Sequence, residues 1–491
     1  QGVGSVWGHG AYLAPDWTAD WLHRESLYIL DRWAEKEHGK AYDEISSEQQ
    51  AALERRLQLE VRKNTYDPET GEITVTPIRA EAIEYLNKYY AGLFMENPDL
   101  DELRNNYAIP KNSIKDQARM RQMTAFFFWA TWACVTERPG SKITYTHNWP
   151  PEKLVANEPT GDLLIWTGVS IILLLIGVGG MVFYHARLRH EHEPEMPVED
   201  PLMRQTITPS MRAVKKYLWV VCILVLIQVT AGVVTAHYGV EGDAFYGFDL
   251  AKSLPYSITR TWHVQLGILW IATAWLATGL YIAPSVAGRD PKYQKLGVNF
   301  LFICLLIIVG GSMAGQWMGI MQKLGLETNF WFGHQGYEYV DLGRFWQAFL
   351  LIGLFLWLTL MIRPLIPVIR SKTAEKSLLM MFLVASAAIA MFYAAGLMWG
   401  RQTNLAIAEY WRWWVVHLWV EGFFEVFATV VSAFLFVRLG LLRTKTATLS
   451  VLLATVIFLS GGILGTFHHL YFSGTPTAIM AIGATFSALE V

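Results

Sequence analysis

The chain has 491 residues, 53% of them hydrophobic, with 21 tryptophans and a mean hydropathy of +0.26. Long apolar runs make this a membrane composition, and a net charge of −2 excludes the basic balance that a nucleic-acid partner needs. Cys134, Cys222 and Cys304 are far apart and form no CxxC pair, zinc spacing or CxxCH haem attachment, and the two in apolar runs read as small core residues.

Residues 1–158 read as a soluble domain. Helical periodicity covers 16–37, 47–63, 78–94 and 113–137, and Ser47 with Gln50 gives a capping-box pattern. The stretch 72–76 (EITVT), after Asp67-Pro68 and Gly71, reads as a short strand or hairpin arm. The run 126–132 (FFFWATW) is too short to cross a bilayer, so it is core or a surface resting on the membrane. Residues 145–157 read as a proline-containing linker.

Residues 159–491 then hold eight complete spans: 163–184, 217–236, 262–283, 296–317, 345–362, 377–400, 411–437 and 447–472, with a ninth starting near Ala478. Basic residues recur in alternate connections. They are Arg187, Arg189, Arg204, Arg212, Lys215 and Lys216 in the first; Arg289, Lys292 and Lys295 in the third; Arg363, Arg370, Lys372 and Lys376 in the fifth; and Arg438, Arg443 and Lys445 in the seventh. The positive-inside rule makes these cytoplasmic and puts the soluble domain outside.

The seventh span carries His417, Glu421 and Glu425, four residues apart and so on one helix face. An ionisable residue inside a membrane points to a functional site. His468 and His469 near the outer end of the eighth span lie level with His417, so three imidazoles and a carboxylate can make a metal site. Nitrogen donors with one hard oxygen suit iron better than copper. The plainer reading is a set of hydrogen-bonded polar residues between helices. His263, at the outer start of the third span, suits a haem axial position or an interfacial histidine. Glu425 and Glu490 suit proton delivery or helix-packing hydrogen bonds. His237 and Glu241, with Phe245 just beyond, suit either a quinol head group or a solvated interfacial pair.

HLWVEGFFEVF with GTFHHLYF makes the chain similar, over essentially its whole length, to the quinol-dependent nitric oxide reductases of the haem-copper oxidase superfamily. GHGAYLAP (8–15) resembles part of the cytochrome c subunit of the cytochrome-dependent reductases, and the missing CxxCH marks the quinol-using type. The resemblance implies an all-α polytopic helix bundle with a haem-free, cytochrome c-like periplasmic domain, in a bacterial inner membrane. It implies non-haem iron on His417, His468, His469 and Glu421, low-spin haem b on His263, and buried acids at Glu425 and Glu490. It also implies a high-spin haem b, quinol at His237, Glu241 and Phe245, and calcium at Glu338 with Gly10 and Tyr12. Nitric oxide, the quinol pool and the lipid bilayer are the implied partners, and a homodimer is compatible.

Two other functions compete: a quinol or cytochrome oxidase reducing O2, and a proton-coupled transporter. Oxidases of the main type place tyrosine, not Glu421, four residues after the metal histidine. A transporter leaves the His468–His469 pair unexplained. The start at Gln1 and the end inside an apolar run suggest a longer protein, with the family's H-x-H helix beyond Val491.

Overall fold

The computed structural model describes residues 2–187, 195, 197–242, 245–371 and 376–490, and it leaves out the side chains of Phe423 and Phe424. Arg189 and Lys372, two of the loop charges above, lie outside the described residues. The chain is mostly helical. Among the described residues the strands are two short antiparallel pairs, Ser5–Val6 with His9–Gly10 and Tyr66–Asp67 with Glu72–Ile73. The second pair is the expected hairpin, shorter than the expected arm. Contacts divide the chain into two units, one of residues 1–167, 233–260 and 470–480 and one of 168–232, 261–469 and 481–491.

In the first unit the helix Trp17–His38 starts where Asp16 accepts from the Thr18 and Ala19 amides. It stops at Gly39, whose φ of 68° is one that a side chain disfavours. Its face of Leu22, Ile29, Leu30 and Trp33 buries against Leu53, Leu57 and Val61 of Ser47–Val61 and against Ala82 of Pro77–Phe94. The capping box is one residue earlier than expected. Ser46 is the extended cap and pairs with Gln49, while Gln50 donates to the Tyr42 carbonyl. The 126–132 run falls inside Gln117–Val135 and buries Phe127, Ala130, Thr131 and Trp132, while Phe126 is exposed. Phe127 stacks on Trp17 at 5.7 Å and meets Tyr90 edge-on at 5.4 Å. Trp21 stacks on Tyr90 within 3° of parallel, so aromatic rings fill the middle of this helical group.

Residues 145–157 are not a loose linker. Arg62 donates to the carbonyls of Val155 and Ala156 and to Asn157 Oδ1, and Asn157 donates to the Cys134 carbonyl at 2.9 Å. The strap continues to the 470–480 segment of the same unit, where Arg138 donates to the Thr475 carbonyl and Trp149 lies 5.6 Å from Phe472. The guanidinium of Arg62 supplies the order that the proline-containing sequence hides.

Seven helices among the described residues are long and apolar enough to cross a membrane: Gly161–Arg187, Pro209–Val240, Tyr256–Ala287, Gln294–Ile320, Arg344–Arg370, Lys376–Ala395 and Thr444–Leu470. The seventh expected span, 411–437, is a different object. It runs as Leu405–Trp413, two π-helical segments (Trp414–Trp419 and Gly422–Phe427) and Ala428–Arg438. A shorter apolar helix, Thr477–Glu490, follows. The second unit's core joins these helices around Trp357 and Phe427, whose rings are 5.8 Å apart. Polar side chains in it are tied down: Trp357 donates to the Leu276 carbonyl, Tyr217 to that of Val298 and Gln294 to that of Leu360.

Candidate metal centre

The two π-helical segments carry the residues of interest. A π turn is rare and mostly found at functional sites, because the extra residue re-aims side chains. His417 lies in the first and Glu425 in the second, with Glu421 between them. The partner helix Thr444–Leu470 also changes register, through a π segment at Phe458–Gly462 and a 3-10 turn at Thr466–Leu470 that bears His468 and His469.

These side chains converge. His417 Nδ1 is 3.0 Å from His469 Nε2 and 3.0 Å from Glu421 Oε1. The ring of His468 lies 5.0 Å from that of His417 and 4.0 Å from that of His469. One donor atom from each of the three histidines falls within a 4.8 Å set, and so does one from each of His417, Glu421 and Glu490. Ligand atoms bound about 2.0–2.1 Å from one ion come to lie roughly 3 Å apart, which is the spacing seen around His417 Nδ1.

The donor set fits a cation. Buried His468 Nδ1, Glu421 Oε2 and Glu490 Oε1 find no hydrogen-bond partner among the described residues. Such groups normally carry a penalty of about 1–3 kcal/mol each. A metal ion answers several lone pairs at once, whereas a further hydrogen-bond donor would answer one. Three imidazoles with a carboxylate favour iron, as the residue types imply. Glu490, one of the expected acids, also lies within hydrogen-bond reach of Glu421 and Glu425.

The remaining expected residues fall elsewhere. His263 is on Tyr256–Ala287 and its Nδ1 lies 2.9 Å from the Gln228 carbonyl. A carbonyl only accepts, so Nδ1 carries the proton and Nε2 keeps the lone pair in the neutral ring, as an axial haem ligand requires. Gly232 lies under that ring: a Cβ there would sit 2.6 Å from His263 Cε1. His237 Nδ1 meets Glu241 Oε2 at 2.9 Å in the first unit, and its ring stacks on Phe245 at 3.9 Å and 12°. Gly10 and Tyr12 belong to the first unit, where Tyr12 is exposed and donates to the Gly8 carbonyl. Glu338 belongs to the second, buried, with its carbonyl accepting from Arg412.

Several residues of the site were not singled out from sequence. Trp413 stacks on His469 at 3.7 Å and 4°. Arg412 pairs with Glu409 at 2.6 Å, both buried, on the helix that leads into the first π segment. The WRWW run and the three-residue step from Glu409 to Arg412 were visible signals for them. An apolar cavity of about 260 Å³ borders the second unit's part of this helix, lined by Leu269, Ala272, Tyr393, Val416, Trp419 and Val420 among others.

The fold is that of a multi-span membrane protein with a candidate metal centre among its helices. Residues 212–491 match the family Cytochrome C and Quinol oxidase polypeptide I, and the chain belongs to that haem-copper oxidase family. Residues 1–151 match the NorB cytochrome c-like domain of nitric oxide reductase. A relative is the NorB chain of the nitric oxide reductase of Stutzerimonas stutzeri, 22% identical over 284 residues. That stretch takes in 57% of this chain and 57% of the relative's length.

Proposed function

We propose that the protein is a quinol-dependent nitric oxide reductase of a bacterial inner membrane, its first 158 residues forming a periplasmic, haem-free domain. The reaction is two NO, two electrons and two protons to N2O and water, with electrons leaving quinol through low-spin haem b. The observation that carries the reading is Glu421: a carboxylate bonded to His417 at 3.0 Å inside a three-histidine cluster. Oxygen ligation there favours iron and separates the site from a copper-using oxidase.

His417, His468, His469 and Glu421 would hold a non-haem iron, and His263 Nε2 would hold haem b. When bound, these groups supply one-electron chemistry and a cationic surface for the oxygen atom that is released. The protein's own part is charge and protons. Glu421 offsets positive charge in a low-dielectric setting. Glu490, in reach of Glu421 and Glu425, can pass a proton between carboxyl oxygens toward the oxygen leaving as water. Trp413 holds the plane of His469 by stacking.

At the other site, oxidation of one quinol releases two electrons and two protons and leaves a quinone. The face-to-face His237–Phe245 pair can hold a flat ring beside it, and the His237–Glu241 pair can take the hydroxyl protons. The packed rings of Trp17, Trp21, Tyr90 and Phe127 inside the N-terminal domain support the haem-free assignment, because they occupy the interior with side chains.

The test is Glu421→Ala in the full chain. Metal analysis should read a drop in non-haem iron, at least the roughly 10–100-fold loss of affinity that weaker supporting residues cause. NO reduction should fall with it, while the reduced-minus-oxidised spectrum of haem b is unchanged. Full iron with normal NO turnover would remove Glu421 from the site and return the oxidase reading.

A further inference from the structure

Glu490 reaches the centre through a gap in another helix. On the Thr444–Leu470 helix, Gly461, Gly462 and Gly465 all face Glu490. They differ in what a side chain would meet. A Cβ on Gly461 would lie 3.4 Å from Glu490 Cβ, an ordinary contact. A Cβ on Gly465 would lie 3.3 Å from Glu490 Oε2 and 3.1 Å from the Ser487 amide nitrogen. A Cβ on Gly462 would overlap Glu490 Oε1 and sit 3.0 Å from its Cδ. On the opposing helix, a Cβ on Gly483 would lie 2.7 Å from the carbonyl carbon of Phe467.

The plain reading of these glycines is close approach of two helices in a membrane, where small residues let backbones meet. That accounts for Gly483, whose neighbour is backbone. It does not account for Gly462, whose nearest atom is the carboxyl oxygen of Glu490, with the carboxyl carbon and Phe458 Cδ2 both at 3.0 Å. Gly462 also closes the π segment Phe458–Gly462, and its carbonyl accepts from Thr466 Oγ1 at 3.0 Å, so its backbone is held in place.

We propose that Gly462 is a positioning residue: the space left by its missing side chain is the socket through which the Glu490 carboxyl reaches His417 and Glu421. This rests on the reading of Glu490 as a proton-carrying acid of the centre. A methyl group at 462 occupies the position of the carboxyl oxygen, so the carboxyl must turn away from the set it forms with His417 and Glu421. The three atoms nearest to that methyl include none of the metal histidines.

The experiment uses the full chain in detergent and compares Gly462→Ala with Glu490→Gln, Glu490→Asp and the double variant Gly462→Ala/Glu490→Asp. Gly461→Ala is a neighbour control, and Gly310→Ala is a helix control with open space at its Cβ. Three quantities are read: bound iron, turnover with an artificial electron donor, and the infrared carboxyl band that disappears in Glu490→Gln. Gly462→Ala should keep its iron, shift that band and lose turnover by about 10²-fold, the scale of a misplaced general acid. Both controls should stay within about twofold of the parent. The shorter aspartate withdraws from the added methyl, so the double variant should be no worse than Glu490→Asp alone, and losses that multiply would mean that Gly462 acts through helix packing. An unshifted band or undiminished turnover in Gly462→Ala overturns the socket. If Gly462→Ala does not assemble, recovery of assembly in the double variant supports the socket and failure of both overturns it. Normal turnover in Glu490→Gln would refute the acid role by itself, while the band in Gly462→Ala would still report on the socket.

Discussion

Glu25→Ala should open the N-terminal domain more than any surface change. Glu25 and Arg79 are 1% and 3% exposed. Arg79 Nε donates to Glu25 Oε1 at 2.7 Å, and Trp21 Nε1 donates to Glu25 Oε2 at 3.1 Å. Removing the carboxylate leaves a guanidinium in the core with no counter-charge, which costs about 3–5 kcal/mol. The Trp21 indole loses its acceptor as well, roughly 1 kcal/mol more. The lost ion pair joins Trp17–His38 to Pro77–Phe94, and the lost indole bond lies within Trp17–His38, so amide exchange in those two helices is the assay. A loss of about 4 kcal/mol speeds exchange through opening by roughly 10³-fold. Glu25→Leu/Arg79→Met removes both charges and fills similar volume, so it should stay within about 1–2 kcal/mol of the parent. Acceleration below about tenfold in Glu25→Ala, or equal damage in the double variant, would refute the account.

Burial, and then Arg138, push the His147 imidazole of the strap down to about 4. The unfolded chain titrates near the ordinary 6.5, so it binds the proton first and stability falls as pH drops from 6.5 toward 4, by at most about 3 kcal/mol. His147→Gln should flatten that part of the melting-temperature profile, and an unchanged slope would rule the histidine out. Glu241→Gln should slow quinol oxidation about tenfold or more while NO reduction from an artificial donor persists; equal loss with both donors would contradict the quinol site. Tyr246, whose buried hydroxyl has no hydrogen-bond partner among the described residues and lies beside His237 and Phe245, should matter in the same way. Tyr246→Phe should raise the quinol KM several-fold at constant kcat, on the scale of one hydrogen bond, and an unchanged KM would exclude it. His263→Ala should abolish the haem b spectrum with iron at the histidine cluster retained, and a persisting spectrum would reassign the axial ligand.

Hydropathy revealed most of the bundle, because six of the eight complete spans are plain α-helices in which length and apolar content suffice. The two exceptions are the ones that carry the candidate site. Periodicity of 3.6 places His417 and Glu421 together, and they do meet. It cannot show that the backbone from Trp414 to Phe427 is widened into π turns, since no residue type demands one. The pairing of His417 with His469 was legible from depth alone, as two positions level in neighbouring spans. Ser46 and Ser47 are chemically equal as caps, and only the extended backbone at Ser46 selects between them. The strap at 145–157 was hidden because its anchor, Arg62, is remote in sequence. The glycines before GTFHH were in plain view, but what they make room for comes from another helix.

The centre's acids have a common logic. Glu421, Glu425 and Glu490 meet in apolar surroundings, where a bare carboxylate costs at least about 2.5–3.5 kcal/mol at the bilayer centre. The ion-pair partner of Glu421 is His417, a base that is neutral when it binds a metal. The oxygens Glu421 Oε2 and Glu490 Oε1 have no hydrogen-bond partner among the described residues. A cation can offset part of this negative charge, and protons can offset the rest. A site that needs both a metal and protons to be stable is one that exchanges protons whenever the metal's charge changes. Proton supply is then built into the electrostatics of the cluster, and Gly462, by admitting Glu490, sets how many acids take part.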